Sequence, residues 1–495
     1  MIMRHVFIFM AFFPFLAQMA AALEFRLDGD RVTLAAKGDP LRDVLARFAH
    51  AGVQVKLDPQ VTGRVTGAVQ DEDVEDTLKV LLGSFGYVLI WDVVDGPLGR
   101  IPRLAEIQIF KPGRRKDVRP LPGVSENLQV AYGPSGGAPF AASELLVGFK
   151  AGTTMEQFKR LLAQIGGTLV ASIPELGMYR VRLSPDTNIP ALVEQLQHNP
   201  IVQAAEPNYI YDAPRPFPGI RDSAGARADV VPKKIVDGSL PVAVLDSGLT
   251  DIDELGDMVV ASYDATNPER DVSDPVGHGT QMALIAAGAV QPMGLDLEPG
   301  DEGVPVVAIR AFDDNGRTST FDINRSLAYA LEQGARVANM SWGSETSSKF
   351  LADAIAYAQS KDLIVVAAVG NEPTGRPIYP AHYRGVLGVA ATGPDGRPWK
   401  SSNYGDSVDL AAPGFARFPI GYKGPPGPYA GTSIASAYVS GVLTSYIAKH
   451  PKATVQETFA ALRDALTDAG AKGRDPLYGF GALDASAVNR LLRSN

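Results

Sequence analysis

The sequence has no cysteine, so disulfide bonds, zinc sites built from thiolates and a cysteine nucleophile are all excluded. It also has a deficit of positive charge: 46 Lys and Arg stand against 55 Asp and Glu, a formal net charge of -9. That balance argues against a nucleic-acid partner and against attraction to an anionic membrane surface. Histidine is scarce as well, with six residues in the whole chain. A histidine in a distinctive setting is therefore a candidate functional residue.

Apolar runs long enough to span a membrane are missing beyond the N-terminus, where the later runs have only the length of strands. At the N-terminus, Arg4 precedes an apolar run over residues 6–16 and a group of small residues, 20–22. This pattern predicts a secretory signal peptide over residues 1–22. An uncleaved anchor is the alternative, but its apolar core falls short of the roughly 20 residues that a membrane span needs. We therefore expect an exported protein, periplasmic or extracellular.

Two short segments place a carboxylate and an imidazole in settings suited to catalysis. The apolar run 241–245 predicts a buried parallel strand, and Asp246 follows it at the edge where open α/β sheets place their sites. Asp246 could orient a histidine there, or it could simply cap the next helix. His278 lies between two glycines at the start of a helical pattern, which we expect to leave its ring nitrogens accessible.

A serine and an asparagine also lie at positions suited to catalysis. Ser433 begins an apolar helix of small residues, where the backbone N–H groups and the helix dipole favour negative charge. A serine there is also an ordinary N-cap, and Asn371, which follows the apolar run 363–369, could be an ordinary turn residue. Three unrelated protein lineages carry the Ser-His-Asp triad, each with a different order of the residues along the chain. The order here, Asp, His, Ser, is the one found in subtilisin.

The segments VAVLDSG, GHGT and GTSIASA resemble those of the subtilisin-like serine peptidases, and the resemblance extends from about residue 242 to 485. It implies that Ser433 is the nucleophile, His278 the general base and Asp246 the residue that orients the imidazole. Asn371 would donate to the oxyanion. The stretch Ser341-Trp342-Gly343 would line the substrate cleft. Two positions depart from the family pattern, Gln281 and Ala437, and they suggest a divergent member.

The fold that this resemblance implies over residues 216–495 is a three-layer α/β domain with a mainly parallel sheet. Its chemistry requires no metal or other cofactor. Calcium remains possible at Asp251, Asp253 and Asp257, although solvated loop carboxylates are the simpler interpretation. An esterase of the α/β-hydrolase type would need the order Ser, Asp, His and a second glycine where Ala435 stands. A peptidase fold retained as a scaffold without turnover is the stronger alternative.

Upstream, the length of 495 residues and the 45% hydrophobic content allow two or three domains. Residues 23–110 predict a small α+β domain, and the stretches GDPL, VQV and LDP resemble the short N-terminal domain of secretins and TonB-dependent receptors. That resemblance implies docking to a cell-envelope protein. Residues 111–143 are rich in Pro, Gly and charge and predict a linker.

Residues 144–211 predict the order strand, helix, two strands, helix and strand, which is the ferredoxin-like arrangement. Directly before a subtilisin-like domain, this module resembles the inhibitory propeptide of the family. Its tail, residues 206–211, would leave the small sheet in extended form and lie in the cleft. The expected partners are thus polypeptide substrates and the chain's own propeptide, with self-processing at the junction.

Overall fold

The computed structural model describes residues 23–97, 99–121, 128–133, 136–214, 217–218, 230–231, 233–236, 238–253, 255–268, 270–295, 297, 302–421 and 425–493. The expected signal peptide, residues 1–22, lies outside these residues. The chain divides into two compact units, one ending at Asn208 and the other beginning at Tyr209. Within the described ranges, no helix combines the length and apolar character needed to cross a bilayer.

The first part of the N-terminal unit is a small α+β fold with two sheets. Its elements are β1 (Glu24–Asp28), β2 (Arg31–Pro40), α1 (Leu41–His50), β3 (Gln54–Leu57), β4 (Arg64–Asp73), α2 (Val74–Leu82), β5 (Gly86–Gly96), β6 (Gly99–Phe110) and β7 (Arg119–Pro120). One sheet has the order β1-β2-β4 and the other β5-β6-β3-β7. Both helices bury apolar faces, such as Val44 and Phe48 of α1, against these strands.

The second part of this unit has the ferredoxin-like order predicted from the sequence. Its elements are β8 (Val130–Tyr132), β9 (Pro139–Phe149), α3 (Met155–Ile165), β10 (Thr168–Ile173), β11 (Met178–Arg182), α4 (Ile189–Gln197) and β12 (Val202–Asp212). Thr154 and Gln157 form a capping box at the start of α3, and Gly166 ends the helix in the left-handed conformation. The sheet order is β10-β11-β9-β12, with β8 paired to β9.

The segment expected as a linker, residues 111–143, contributes strands to both neighbouring sheets. Its residues 119–120 form β7, which pairs with β3, and its residues 130–132 form β8, which pairs with β9. Residues 122–127 and 134–135 of this segment lie outside the description. Direct hydrogen bonds also join the two parts: Thr168 Oγ1 donates to Leu27 O at 2.7 Å, and Arg103 donates to Val170 O at 2.5 Å. The two parts therefore form one packed unit.

A buried ion cluster lies in the ferredoxin-like sheet. Glu144 of β9 accepts hydrogen bonds from Arg182 Nη2 at 2.5 Å and from Asn208 Nδ2 at 2.7 Å, and Arg180 lies 3.9 Å away. Burial alone would raise the pKa of the Glu144 carboxyl, but the charges of Arg180 and Arg182 and the hydrogen bonds from Arg182 and Asn208 lower that pKa from 4.5 to about 2.

The C-terminal unit contains a seven-stranded parallel sheet, as the sequence predicted. Its first elements are β13 (Phe217–Pro218), β14 (Val242–Asp246), β15 (Val259–Asp264), α5 (His278–Ala286), β16 (Val306–Arg310), β17 (Arg317–Ser319), α6 (Thr320–Glu332), β18 (Val337–Met340), α7 (Lys349–Ser360) and β19 (Ile364–Ala368). They are followed by β20 (Leu387–Thr392), β21 (Leu410–Pro413), β22 (Phe415–Phe418), β23 (Gly427–Ala430), α8 (Thr432–Lys449), α9 (Val455–Ala465) and α10 (Ala485–Arg493).

The strand order of this sheet is β15-β16-β14-β18-β19-β20-β21, and its six strand pairings are all parallel. Strands β14, β16, β18 and β19 are buried along their whole length, as expected of a sheet with both faces covered. Helix α8 packs against α5 and across β18, β19 and β20. The carboxyl ends of the central strands therefore meet the N-termini of α5 and α8.

We predict that Glu144→Gln destabilises the N-terminal unit by about 1–3 kcal/mol, because the partly exposed guanidinium groups of Arg180 and Arg182 lose their buried carboxylate partner. The folded pKa of Glu144 lies below the unfolded value, so its contribution is complete above about pH 4.5 and is lost as the pH falls towards 2. Denaturant unfolding of the full chain between pH 7 and pH 3 checks this. Glu156→Gln, which removes an exposed pair with Arg160, is the matched control. A pH dependence that is equal in Glu144→Gln and in wild type would contradict the prediction.

Candidate active site

A buried carboxylate and a buried imidazole meet at the carboxyl end of β14. Asp246 Oδ1 lies 2.7 Å from His278 Nδ1 and accepts a second hydrogen bond from Ser247 N at 2.8 Å. Asp246 ends its strand, and His278 is the first residue of α5, so sheet and helix each present one partner. This contact can hold the imidazole with its Nδ1 protonated and Nε2 directed away from the carboxylate.

Glycines at this site permit backbone contacts that no other residue would allow. A Cβ on Gly248 would lie 2.0 Å from Ser273 O, and one on Gly279 would lie 2.3 Å from Gly248 O. Gly248 also has a φ of +123°, which side chains rarely adopt. The sequence suggested that the glycines beside His278 keep its ring accessible, but His278 is only 2% exposed in this structure. Their role is close packing between the Asp246 turn and the first turn of α5.

Asp274, which the sequence reasoning missed, fixes the loop before His278. The groups that donate to its carboxylate, at 2.6–3.2 Å, are Ser247 Oγ, Val276 N, Gly277 N, Thr280 N and Thr280 Oγ1. Asp274 thereby satisfies free N–H groups at the start of α5 and joins them to the residue after Asp246. An acidic residue a few positions before a predicted helix was the available signal.

Ser433 lies in the first turn of α8, a helix that is buried over almost its whole length. Its hydroxyl donates to Ser341 O at 3.0 Å, and Ser341 Oγ is 3.1 Å from Ser433 O. The neighbouring Asn339 adds a polar connection between sheet and helix: its Nδ2 donates to Ser341 Oγ, and its Oδ1 accepts from Ser436 Oγ. These contacts fix the start of α8 to the end of β18.

Asn371 follows β19 and lies beside the N-terminus of α8. Its Oδ1 accepts hydrogen bonds from Thr432 N at 2.9 Å and from Thr432 Oγ1 at 2.8 Å. Those two bonds occupy the amide oxygen and leave Nδ2 as the donor of this side chain. Nδ2 lies 3.6 Å from the position that a Cβ on Gly431 would take. The side-chain amide and the N-terminus of α8 thus share one small region.

The predicted cleft residues border an aromatic cluster. The Trp342 ring is 5.3 Å from the Tyr211 ring and 6.1 Å from the Phe312 ring, and Trp342 is 1% exposed. The hydroxyl of Tyr211 lies 3.2 Å from Thr320 Oγ1. Gly343 is required for packing, because a Cβ there would lie 2.3 Å from Ile378 Cγ2.

The chain around Tyr211 is bound in the manner of an added strand. Tyr211 pairs with Thr318 of β17 in antiparallel register, and Ala213 N donates to Gly316 O at 2.7 Å. A few residues later, β13 pairs with β23, with Phe217 opposite Ala430. The segment therefore pairs with β17, which precedes α6, and with β23, which leads directly into α8 and Ser433.

No cation site is evident in the described part of the chain, because no group of three or more His, Cys, Asp or Glu side chains there could hold a metal ion. Asp251, Asp253 and Asp257 accordingly do not assemble into one.

A profile of the subtilase family matches residues 238–481, and a profile of the fervidolysin N-terminal prodomain matches residues 127–208. The thermophilic serine proteinase of Bacillus sp. (strain AK1) is 30% identical over 311 residues, which are 61% of this chain and 77% of that protein. Thermitase of Thermoactinomyces vulgaris is 32% identical over 213 residues, which are 42% of this chain and 75% of thermitase.

Fervidolysin from Fervidobacterium pennivorans, described as a keratinolytic enzyme related to subtilisin, has a similar fold, with a TM-score of 0.58 at 22% identity. The match covers 75% of this chain and 64% of the fervidolysin chain. The prodomain match begins inside the segment that the sequence predicted as a linker, which agrees with the pairing of β8 to β9.

We predict that Gly441→Ala lowers kcat by roughly 100-fold, because a Cβ there would lie 2.5 Å from Ala286 O and would push α8 away from α5. Hydrolysis of a peptide by the folded variant, measured well below its unfolding temperature, checks this. Lys449→Ala, at the exposed end of the same helix, is the control. Unchanged kcat in Gly441→Ala would show that the spacing of the two helices does not control the reaction.

Proposed function

The chain belongs to the subtilase family of serine endopeptidases, and from that membership we propose that Asp246, His278 and Ser433 form its catalytic triad. The observation that carries the proposal is the buried contact of 2.7 Å between Asp246 Oδ1 and His278 Nδ1. This contact sets the tautomer that makes Nε2 a proton acceptor. Ser433, at the N-terminus of a buried helix, supplies a hydroxyl where negative charge is stabilised.

In the proposed reaction, the Ser433 hydroxyl first turns from Ser341 O, to which it donates in the resting structure. It then attacks the carbonyl carbon of the scissile peptide bond while His278 Nε2 takes its proton. The protonated imidazole, held by Asp246, returns that proton to the leaving amine, and an acyl-enzyme on Ser433 remains. Water, activated by His278 in the same way, hydrolyses the ester and restores the serine.

The tetrahedral intermediate carries an oxyanion that needs donors. We assign Asn371 Nδ2 and the backbone N–H of Ser433 to this role. The support is that Thr432 occupies the amide oxygen of Asn371 through two hydrogen bonds, and that Ser433 lies in the first turn of α8, where N–H groups lack partners within the helix.

The segment after the prodomain is proposed to inhibit the enzyme as a substrate-like strand. Tyr211 is 2% exposed, its ring lies 5.3 Å from the Trp342 ring, and its backbone pairs with β17. When a peptide binds as an added strand, main-chain hydrogen bonds provide the affinity, and pockets for its side chains determine which sequences bind. By the same reasoning, Ser341, Trp342 and Gly343 line a cleft for extended polypeptides that accepts an aromatic side chain at the place of Tyr211.

Export and recruitment complete the proposal. The pattern of residues 1–22 supports export, and the resemblance of residues 23–110 to a docking domain supports a partner in the cell envelope. The packing of that domain onto the ferredoxin-like part, through Thr168 and Leu27, implies that any partner engages the N-terminal unit as a whole.

Self-processing gives the first test of this function. Since the chain pairs with β17 up to Asp212 and with β23 from Phe217, we expect cleavage between about Tyr211 and Lys234. Ser433→Ala should stay uncut after removal of the signal peptide, because the nucleophile is absent. Mass spectrometry of both proteins in protease-free solution checks this, with Ser445→Ala of the same helix as the control. Cleavage of purified Ser433→Ala at the wild-type position would refute self-processing.

The oxyanion donor gives the second test. Asn371→Ala should lower kcat by roughly 100- to 1,000-fold with little change in KM, a range established on subtilisin itself, because the donor acts only in the transition state. Steady-state kinetics on a peptide amide measure both constants. Asn315→Ala, in an exposed loop, is the control. An unchanged kcat would remove Asn371 from the mechanism.

A further inference from the structure

Arg310 is a fully buried cation close to the proposed triad. It ends β16, is 2% exposed and lies in register with Asp246 on one side and Asp264 on the other. A guanidinium stays protonated in proteins, so its burial is costly unless carboxylates and hydrogen bonds offset the charge. The contacts that do so connect Arg310 to two different loops at the site.

The first loop leads to His278. Arg310 Nη1 donates to Ser273 Oγ at 2.9 Å, and Ser273 directly precedes Asp274, whose carboxylate holds the first turn of α5. The start of the same loop is also fixed, since Asp264 Oδ2 lies 3.6 Å from Arg310 Nε. Arg310 thus contacts the beginning and the end of the loop that delivers the histidine.

The second loop leads to β17, the strand that binds the chain around Tyr211. Arg310 Nε donates to Phe312 O at 3.1 Å, and Nη2 donates to Asp314 Oδ1 at 2.5 Å. Within this loop, Gly316 O accepts the hydrogen bond from Ala213 N. Arg310 therefore also supports the edge of the cleft where an extended substrate would pair.

We propose that Arg310 is a positioning residue that couples these two loops, so that the general base and the substrate-binding strand are held in register with each other. The proposal rests on the proposed function. The planar guanidinium suits the task because its N–H groups point in fixed, divergent directions and reach three partners at once, which a lysine ammonium on a flexible stem does not. Small displacements at such a site are expensive, with a shift of about 1 Å costing roughly 100-fold in rate.

A residue that only stabilised the fold would behave differently, and this difference guides the test. Loss of fold stability lowers the unfolding temperature but leaves the rate per folded molecule unchanged. Loss of positioning lowers that rate while the protein remains folded. The measurements are therefore made on each protein as isolated, well below its unfolding temperature, with the fraction folded determined by circular dichroism and the extent of self-cleavage by mass spectrometry.

The first experiment compares wild type with Arg310→Lys in two reactions. One is the rate at which a fluorophosphonate labels Ser433, which depends on His278 but not on β17. The other is kcat/KM for a chromogenic tetrapeptide amide, which depends on both. We expect Arg310→Lys to lower each by roughly 10- to 100-fold per folded molecule. Equal rates in the two proteins would overturn the proposal.

The second experiment separates the two loops by single contacts and does not depend on whether Arg310 variants fold. Ser273→Ala should slow fluorophosphonate labelling about fivefold and leave the KM of the tetrapeptide amide unchanged. Asp314→Ala should raise that KM about fivefold and leave labelling unchanged. Because Asp314 Oδ2 also lies 3.8 Å from Arg270 Nη1 in the first loop, Arg270→Ala measures the effect of losing that contact alone. Ser273 and Asp314 are both exposed, but Asp314→Ala removes a carboxylate from the buried Arg310, so both rates are again expressed per folded molecule. Asp271→Ala and Asn315→Ala, in the same two loops, are the matched controls.

The outcomes distinguish this proposal from the proposed function. If wild type itself is neither labelled nor active, the peptidase mechanism fails and the positioning role fails with it. If wild type is labelled but Ser273→Ala and Asp314→Ala behave like their controls, the mechanism stands and only the role of Arg310 is overturned. The crossed pattern, with one variant affecting labelling and the other affecting KM, supports the proposal.

Discussion

The catalytic unit depends on the close approach of backbones that carry its functional groups. Helices α5 and α8 bring His278 and Ser433 to the carboxyl end of the sheet, and they touch where Gly441 lies against Ala286. The turn after Asp246 reaches the first turn of α5 through Gly248 and Gly279. A Cβ at any of these three glycines would clash with the neighbouring backbone. The two elements would have to move apart, and the hydrogen bonds between them would become too long.

Buried charge follows from this geometry, because polar groups concentrated at the end of a parallel sheet lose contact with water. The Asp274 carboxylate accepts hydrogen bonds from backbone N–H groups and hydroxyls, Asp246 Oδ1 contacts His278 and a backbone N–H, and Arg310 contacts Asp264 and two loops. Each group has partners that also fix its position, so the cost of burial is offset by contacts that order the site. The same principle holds in the N-terminal unit, where Glu144 is held by two arginines.

Much of this arrangement could be predicted from the sequence because local patterns determined it. The apolar run before Asp246 and the small residues around His278 and Ser433 predicted a buried strand and two helix starts, and the subtilisin-like resemblance implied the mainly parallel sheet. The βαββαβ order of the prodomain was readable from hydrophobic periodicity. The family resemblance to subtilases is confirmed by two relatives that this chain matches over 77% and 75% of their lengths.

Other features could not be predicted because they depend on contacts between distant residues. Residues 111–143 resemble a linker by composition. The parts of the chain on either side of them are nevertheless packed together, for example by the hydrogen bond between Thr168 and Leu27, 141 positions apart, and composition does not reveal such a contact. The burial of His278 reflects packing around it, which flanking glycines do not reveal. In the sequence, Arg310 is simply the last residue of an apolar strand. Its contacts with the loops at Ser273 and Asp314 are visible only in the folded chain. Asp274 was missed at the sequence level, and its link to Ser247 is given only by the fold.

The central claim is that Ser433 is a nucleophile activated by His278 and Asp246. Its most direct measurement is the labelling of the full chain with a fluorophosphonate, with the modified peptide identified by mass spectrometry. The account predicts covalent modification at Ser433 in wild type, none in Ser433→Ala, and strongly slowed labelling in His278→Ala. Modification at another residue, or equal labelling of wild type and His278→Ala, would contradict it.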